Sequence, residues 1–421
     1  MTESSSDRSR VLITRKAHSL TVALNMSTMY TFDKKGRLIG AYVGGYNYKR
    51  GLDNTMLKKW SATESGRRQR HRHILTPQER EEFIYRMTDL LDQIYAHPEL
   101  FELEIRGDEE KTWKWLRRSL NYDWEKLEAD AALFLEIYEP VTILPPDQYY
   151  ALVIQISEGC SYNKCTFCSF YRDRKFRIKT PAEVRDHGEA INEFFGESLG
   201  LRQSVFLADA NALIIPQQRL ISILKIVNEM YTIIPDPERK REIHRRRRAG
   251  EPVFDGIYSF FDLFTGEHKS VREFQEMASL GVKRAYIGIE SGSEALLDFL
   301  NKPGRQEEMI SVVNKVKASG INVGVIVLIG AGGKKYAGSH IEETTNILNA
   351  MNLDADDFIY FSEFRPQPNT PYQDVAESEG IEPLTKEGVE EQEQRIRSGL
   401  RYSGKGNSPK LTTYDIREFL Y

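Results

Sequence analysis

Only three of the 421 residues are cysteine, and Cys160, Cys165 and Cys168 all fall within ISEGCSYNKCTFCSF, residues 156–170. That scarcity excludes a disulfide-stapled fold, since no distant thiol is left to pair with, and points to metal or redox chemistry in a reducing compartment. Long apolar runs are missing as well. No stretch approaches the ~20 uninterrupted apolar residues that span a bilayer, and the leader MTESSSDRSR lacks the apolar core of a secretory signal. A cytoplasmic protein with no membrane contact is expected. Neither sign of charge dominates: a net charge of −4 argues against wholesale coating of nucleic acid. Also lacking are a nucleophile elbow, a zinc-protease His-Glu pair and a phosphate-binding GK[ST] loop. GAGGKK, residues 330–335, has neither the spacing nor the terminal Ser or Thr of such a loop, and reads as a strand-to-helix turn.

What is present is the balance of a globular protein, with 40% hydrophobic and 29% charged residues. The length exceeds the ~100–200 residues usual for one domain. LTVALNMSTMYTF and LIGAYVGGYNYKRG flank the turn-forming DKKGR and predict a hairpin. Thr76, Pro77 and Glu79 form a capping box that opens a helix. A further helical stretch over 108–136 carries Trp113, Trp115 and Trp124, and the Pro-rich EPVTILPPDQYY follows as a linker. Beyond it, short apolar runs alternate with amphipathic stretches, the pattern of βα units. Six strands are expected, over 151–157, 204–208, 256–261, 284–289, 323–329 and 357–362. Capping boxes are expected at Thr180 with Glu183, Ser270 with Glu273 and Ser339 with Glu342. Thr385 precedes a charged helix and a short tail. The predicted architecture is α/β: a partial (β/α)6 TIM-like barrel over 148–375, an N-terminal α+β accessory domain over 1–147 that caps or completes the substrate side, and a C-terminal helical extension over 376–421.

Three thiolates can hold three corners of a cubane iron–sulfur cluster and leave one iron free to bind something else. A structural zinc needs four ligands, and the nearest downstream histidine, His187, lies nineteen residues past Cys168 on a predicted helix. Buried structural thiols fit poorly with Gly159, Ser161 and Asn163, which mark a polar loop.

The loop after the first strand resembles the signature of the radical S-adenosylmethionine enzymes, and the resemblance covers residues 148–370. It implies a [4Fe–4S] cluster on Cys160, Cys165 and Cys168, with S-adenosylmethionine chelating the fourth iron. The superfamily's commonest spacing encloses three residues and then two; here Cys160 and Cys165 enclose four, and Cys165 and Cys168 two. Phe167 matches the aromatic position that lies against the adenine. FLADAN makes Asp209 and Asn211 candidates for the cofactor's amino group. YIGIESGS, residues 286–293, is similar to the fourth-strand segment of the group that includes coproporphyrinogen dehydrogenase and the Elongator catalytic subunit, which implies that Glu290 reaches the ribose or methionine end with Ser291 near by. VGVIVLIGAGG resembles the fifth-strand motif and implies that Val327, Ile329 and Gly330 lie near the base. The resemblance further implies an electron donor such as flavodoxin or ferredoxin, and a 5′-deoxyadenosyl radical that abstracts hydrogen from a substrate. With three cysteines in all, no second cysteine-held cluster is available, and no DxHxxG cobalamin segment is present.

Two basic runs, GRRQRHRH at 66–73 and RKREIHRRRR at 239–248, suit RNA or an anionic substrate by charge, with salt-sensitive affinity. A solvated loop and helix face are the preferred account of them, since neither run interleaves aromatic residues for stacking. From another class, a non-catalytic iron–sulfur sensor or RNA-associated binding protein is the alternative to an enzyme.

Overall fold

The computed structural model describes residues 8–64, 67–402 and 407–421. The first part of the chain builds one antiparallel meander: β1 (Arg10–Arg15), β2 (Ser19–Leu24), β3 (Thr28–Asp33), β4 (Leu38–Val43), β5 (Tyr46–Arg50), β6 (Met56–Glu64) and β7 (Arg67–Ile74). The single expected hairpin is thus part of a larger sheet. The run 20–32 divides into two strands because Asn25 and Met26 both take positive φ and turn the chain back. The basic run at 66–73 falls largely on β7, paired with β6; Ser65 and Gly66 lie outside the described residues. After α1 (Pro77–Ala96), β8 (Glu102–Arg106) joins the sheet parallel to β1. The expected helix over 108–136 is two, α2 (Glu109–Leu120) and α3 (Trp124–Ile137), because Asp108 and Asp123 each accept a first-turn backbone N–H and start a helix of their own. Ile84, Met87, Leu91 and Ile94 of α1 close a small core against Val11, Ile13, Val22 and Phe32 of the sheet.

The second part begins with β9 (Ala151–Gln155). A two-stranded clamp follows, β10 (Ser157–Glu158) against β11 (Arg177–Ile178), then α4 (Pro181–Phe195), β12 (Ser204–Ala208) and α5 (Gln217–Met230). A second short pair, β13 (Thr232–Ile233) and β14 (Val253–Phe254), brackets the arginine-rich α6 (Lys240–Arg248). Next come β15 (Ile257–Phe260), α7 (Leu263–Gly266), α8 (Val271–Ser279), β16 (Val282–Glu290), α9 (Glu294–Phe299), α10 (Gln306–Ala318), β17 (Asn322–Ile329), α11 (Gly333–Ala350) and β18 (Phe358–Glu363). Finally α12 (Tyr372–Ser378), α13 (Lys386–Gly399) and β19 (Lys410–Thr413) complete the fold.

The large strands form one parallel sheet in the order β9, β12, β15, β16, β17, β18, β19. The partial barrel expected from the βα pattern is present, with a seventh strand that the tail supplies. The boxes at Thr180 and Ser270 form. That at Ser339 does not: Gly332 in the left-handed region starts α11 early, so Ser339 lies inside the helix. The linker closes the barrel floor, where Asp147 accepts hydrogen bonds from Tyr286 and Tyr360 (both 2.6 Å) and from Arg284 (2.9 Å).

The N-terminal domain docks partly on segments that precede the strands, as where Lys35 bonds the Phe194 carbonyl and Ser198 ahead of β12, and His18 bonds the Arg247 carbonyl ahead of β15. The edge of β7 runs along the tail, through Arg72 with Asp415 at 2.7 Å.

Candidate active site

A cavity of about 200 Å3 opens at the C-terminal edge of the parallel sheet, the working edge of such folds. Cys160, Cys165, Cys168, Phe167, Asn211 and Glu290 all line it. Six residues proposed from sequence, spread over 131 positions, are therefore gathered on one wall-to-wall site. Most of the remaining lining is aromatic or aliphatic, including Phe170, Phe260, Tyr286, Ile326 and Leu328.

The cysteine loop is pinned at each turn. Its two ends are held by the β10–β11 pair, reinforced by Arg177 bonding Glu158 and Glu183. The fourth enclosed residue between Cys160 and Cys165 is absorbed at Asn163, whose φ of 50° is left-handed, a region that Asn visits more readily than most residues. Its amide donates to the Tyr171 carbonyl (2.8 Å), and its N–H points at Cys160 Sγ (3.4 Å). Asn301 bonds both Tyr162 and the Lys164 carbonyl, and the Arg172 guanidinium spans the carbonyls of Cys165 (2.7 Å) and Cys168 (2.8 Å).

Burial pushes the Cys165 thiol up and the Cys168 thiol up to about 12, so holding these groups as thiolates requires nearby positive charge. Bound iron would supply that charge. The donors suit a cluster better than a single ion. One zinc draws its cysteine sulfurs to within about 4 Å of each other, whereas a cubane gives each cysteine its own iron. Among the described residues no three His, Cys, Asp or Glu side chains are grouped to hold one metal ion. His187, the remaining zinc candidate, instead accepts the Gln155 N–H (3.1 Å) from α4, and burial lowers it to about 3.

Opposite the loop, Glu290 ends β16 with φ of 58°, beyond a register shift against β17. Such a conformation in a non-glycine residue costs about 1–3 kcal/mol and is found most often at functional sites. Its carboxylate meets Lys302 Nζ at 3.3 Å. Burial alone would depress the Lys302 ammonium, but Glu290 and then Cys165 outweigh it and raise it. Lys302 also lines the cavity. It escaped sequence reasoning because NKPGR reads as a surface turn; only its place twelve residues past Glu290, across the short α9, brings it inward. Tyr162, Arg365 and Gln367 are further lining residues of this kind, Gln367 accepting a hydrogen bond from Ser169 of the cysteine loop (3.0 Å).

The other proposed residues do not line the cavity. Asp209 is buried beneath the loop, where it accepts the Gly159 N–H (3.0 Å) and Gln155 Nε2 (3.0 Å) and faces Arg174 at 3.6 Å. Burial raises it to about 6. Ser291 bonds His340 Nδ1 at 2.7 Å. On β17 it is Ile326 and Leu328 that line the cavity; the alternate Val327 and Ile329 are fully buried elsewhere, as strand geometry requires. Gly330 N–H donates to Gln392 of α13 (2.7 Å), and the GAGG segment is the turn from β17 to α11.

A parallel α/β barrel with a three-cysteine loop at its open edge defines a cofactor-dependent enzyme class. Residues 154–347 match the Radical SAM superfamily. A curated relative, 4'-phospho-dehydrooxetanocin synthase of Priestia megaterium, is 27% identical over 180 residues, which are 41% of this chain and 22% of the relative. The chain thus matches about a fifth of that relative's length. Among solved structures, coproporphyrinogen III oxidase (HemN) from Escherichia coli is 11% identical, with 62% of this chain and 55% of that one covered at a TM-score of 0.39. Elp3 of Methanocaldococcus infernus is 14% identical, with 63% and 56% covered at 0.37.

Proposed function

We propose that the chain is a radical SAM enzyme that binds a [4Fe–4S] cluster on Cys160, Cys165 and Cys168 and S-adenosylmethionine in the adjoining cavity. The observation that supports this reading above others is the meeting of the three cysteines with Phe167, Asn211, Glu290 and Lys302 around one cavity at the sheet's C-terminal edge. When bound, the two cofactors supply reductive carbon–sulfur cleavage and a 5′-deoxyadenosyl radical, which abstracts hydrogen from the substrate. The chain's own residues bind, orient and exclude water. Asn163 and Asn211 direct N–H groups at Cys160 Sγ, at 3.4 and 3.9 Å. Lys302 and Glu290 offer a cation and an anion to the zwitterionic methionine end, and the aromatic wall keeps a radical from solvent. On β17, Ile326 and Leu328 face the cavity in place of Val327, Ile329 and Gly330, while Asp209 and Ser291 hold the loop and strand end from behind. A flavodoxin- or ferredoxin-like donor supplies the electron.

Anaerobic reconstitution, reduction with dithionite and addition of S-adenosylmethionine should release 5′-deoxyadenosine. Cys165→Ala should lose both the cluster spectrum and that release; a variant retaining a full [4Fe–4S] spectrum would sink the ligand assignment. Binding of an anionic substrate or RNA has one supporting observation. Arg241, His244, Arg245 and Arg248 share an exposed face of α6, whereas Arg239 and Arg246 are paired with acids and Arg247 is anchored on the Val253 carbonyl. Reversing Arg241, Arg245 and Arg248 to Glu should weaken RNA binding steeply and flatten its salt dependence; unchanged affinity assigns the face to solvent.

A further inference from the structure

A second cavity, of about 60 Å3, lies where the N-terminal sheet meets the barrel, away from the cysteine loop. Its lining is cationic: Arg37, Lys49, Arg50 and Arg202, with Asp33 and Ser198. Arg37 and Arg50 are 1% and 5% exposed. Each uses part of its guanidinium on the protein. Arg37 Nε bonds Asp33 (2.7 Å) and its Nη1 meets Asp130 (3.4 Å), while Arg50 Nε bonds Asn54 (2.7 Å). In both residues Nη2 is buried without a hydrogen-bond partner. Two such orphan donors on one cavity are unusual, because native structures satisfy nearly all buried polar groups and charged ones above all.

The other two cations rest on rings and not on carboxylates. Lys49 Nζ lies over Tyr149 (4.9 Å) and Phe419 (5.6 Å), and the Arg202 guanidinium over Tyr421 (4.6 Å) and Phe195 (4.8 Å). Asp33 has little acceptor capacity left, since Oδ1 takes the N–H groups of Lys35, Gly36 and Arg37. The lining itself sets four cations against one carboxylate, Asp33, while Asp130 and Asp53 act on Arg50 from outside it. Burial and neighbouring cations depress Lys49 to about 8, the direction that a missing counter-charge produces. By the space one water needs, about 10–15 Å3 on the same measure, the cavity admits about four oxygens. That is the size of a tetrahedral oxyanion.

We infer that this cavity is a binding site for a phosphate-sized oxyanion that ties the N-terminal domain to the barrel, bonded by Arg37 and Arg50 Nη2 and balanced by Lys49 and Arg202. The site belongs to both domains: Arg37 immediately precedes β4 and Arg50 ends β5, while Arg202 precedes β12. Its occupancy therefore stabilises the assembled chain by mass action without touching the active-site cavity. The free ion and the head group of a phosphate monoester share this chemistry; the small volume favours the free ion.

The test is thermal unfolding of the full chain, titrated with inorganic phosphate or glycerol 3-phosphate while chloride holds ionic strength constant. The expected result is a saturable rise in Tm of roughly 2–5 °C with millimolar phosphate. Lys49→Met, at the cavity wall, should unfold as cooperatively as wild type, lose no stability in phosphate-free buffer and abolish the rise. Arg202→Gln should reduce it. A matching rise with glycerol 3-phosphate, lost in Lys49→Met, supports the same site and assigns it to a phosphate head group. A linear, unsaturating rise shared equally by wild type and Lys49→Met is the general salting effect of phosphate and overturns the inference, as does no rise at all.

Discussion

At the scale of residues, the ESGS segment divides its labour in a way that its sequence does not display. Only Glu290 faces the cavity; Ser291 bonds His340, and Gly292 donates its N–H to Thr344 of α11 at 2.8 Å. The cysteines were legible because cluster ligation demands thiols at close spacing, a requirement written locally. Lys302 was not, because its meaning depends on a partner across a turn. Gly288 holds another part of the site that sequence hides: a Cβ there would run into Glu290 Oε1. The obstacle is the movable end of a side chain and not backbone, so Gly288→Ala should fold normally and push the carboxylate aside. Losing one charged hydrogen bond, worth about 1.5–3 kcal/mol, should weaken S-adenosylmethionine binding at least about tenfold. Calorimetric titration of the reconstituted protein, beside its Tm, checks this. Equal binding with unchanged stability would remove Glu290 from the cofactor site.

At the scale of elements, the barrel strands were readable because a parallel strand buried on both faces is a continuous apolar run, as in VGVIVLI. β19 was not. KLTT sits at the sheet's edge, largely exposed, and pairs with β18 through its backbone, with Lys410 Nζ over the ring of the opposite Phe358 at 5.1 Å. The meander was under-read for two reasons: Asn25 and Met26 reverse the chain between β2 and β3 without a glycine, and Gly44 and Gly45 turn it between β4 and β5 inside what reads as one apolar run. The cysteine loop, an element without regular structure, is stiffened by one exposed side chain. Arg172 bonds two cysteine carbonyls and fixes the separation of the last two ligands. Arg172→Ala leaves every ligand in place but frees those carbonyls. It should lower iron retained after desalting and speed loss of the 410 nm-region absorbance in air by several-fold, with Tm of the cluster-free chain changed by less than about 1 kcal/mol in equivalent stability, as for a surface substitution. Arg172→Lys, which reaches one carbonyl but cannot fork, should fall between. Cluster loss at the wild-type rate in both variants would show that the clamp at β10 and β11 suffices.

For the whole molecule, the docking of the N-terminal sheet on the barrel was out of reach of sequence, because it depends on scattered side-chain to backbone bonds such as Lys35 to Phe194 and His18 to Arg247. The same tertiary burial sets the chain's response to acid. His340 is fully buried beside Ser291 and Thr344, and desolvation lowers it to about 4; His187 is lowered to about 3. Above the ordinary histidine value of 6.5 both folded and unfolded chains hold these rings neutral, and neither ring carries a pH-linked penalty. As pH falls below it, the unfolded chain gains protons that the folded chain refuses. Stability then drops by up to about 1.4 kcal/mol per pH unit for each histidine, about 3 kcal/mol for His340 and about 4 kcal/mol for His187 by the time the folded values are reached. Asp209 acts in the opposite sense. Raised to about 6 by burial, it takes up a proton in the folded state before the unfolded one does, so below pH 6 it offsets one histidine. Denaturant midpoints of the cluster-free chain measured from about pH 7 to about pH 5 should therefore decline, gently near pH 7 and more steeply by about pH 6. His340→Gln should remove more than half of that slope, and Asp209→Asn should steepen it, most of all below pH 6. Parallel declines in all three proteins would place the acid sensitivity on other groups and show that these rings reach solvent before the fold opens.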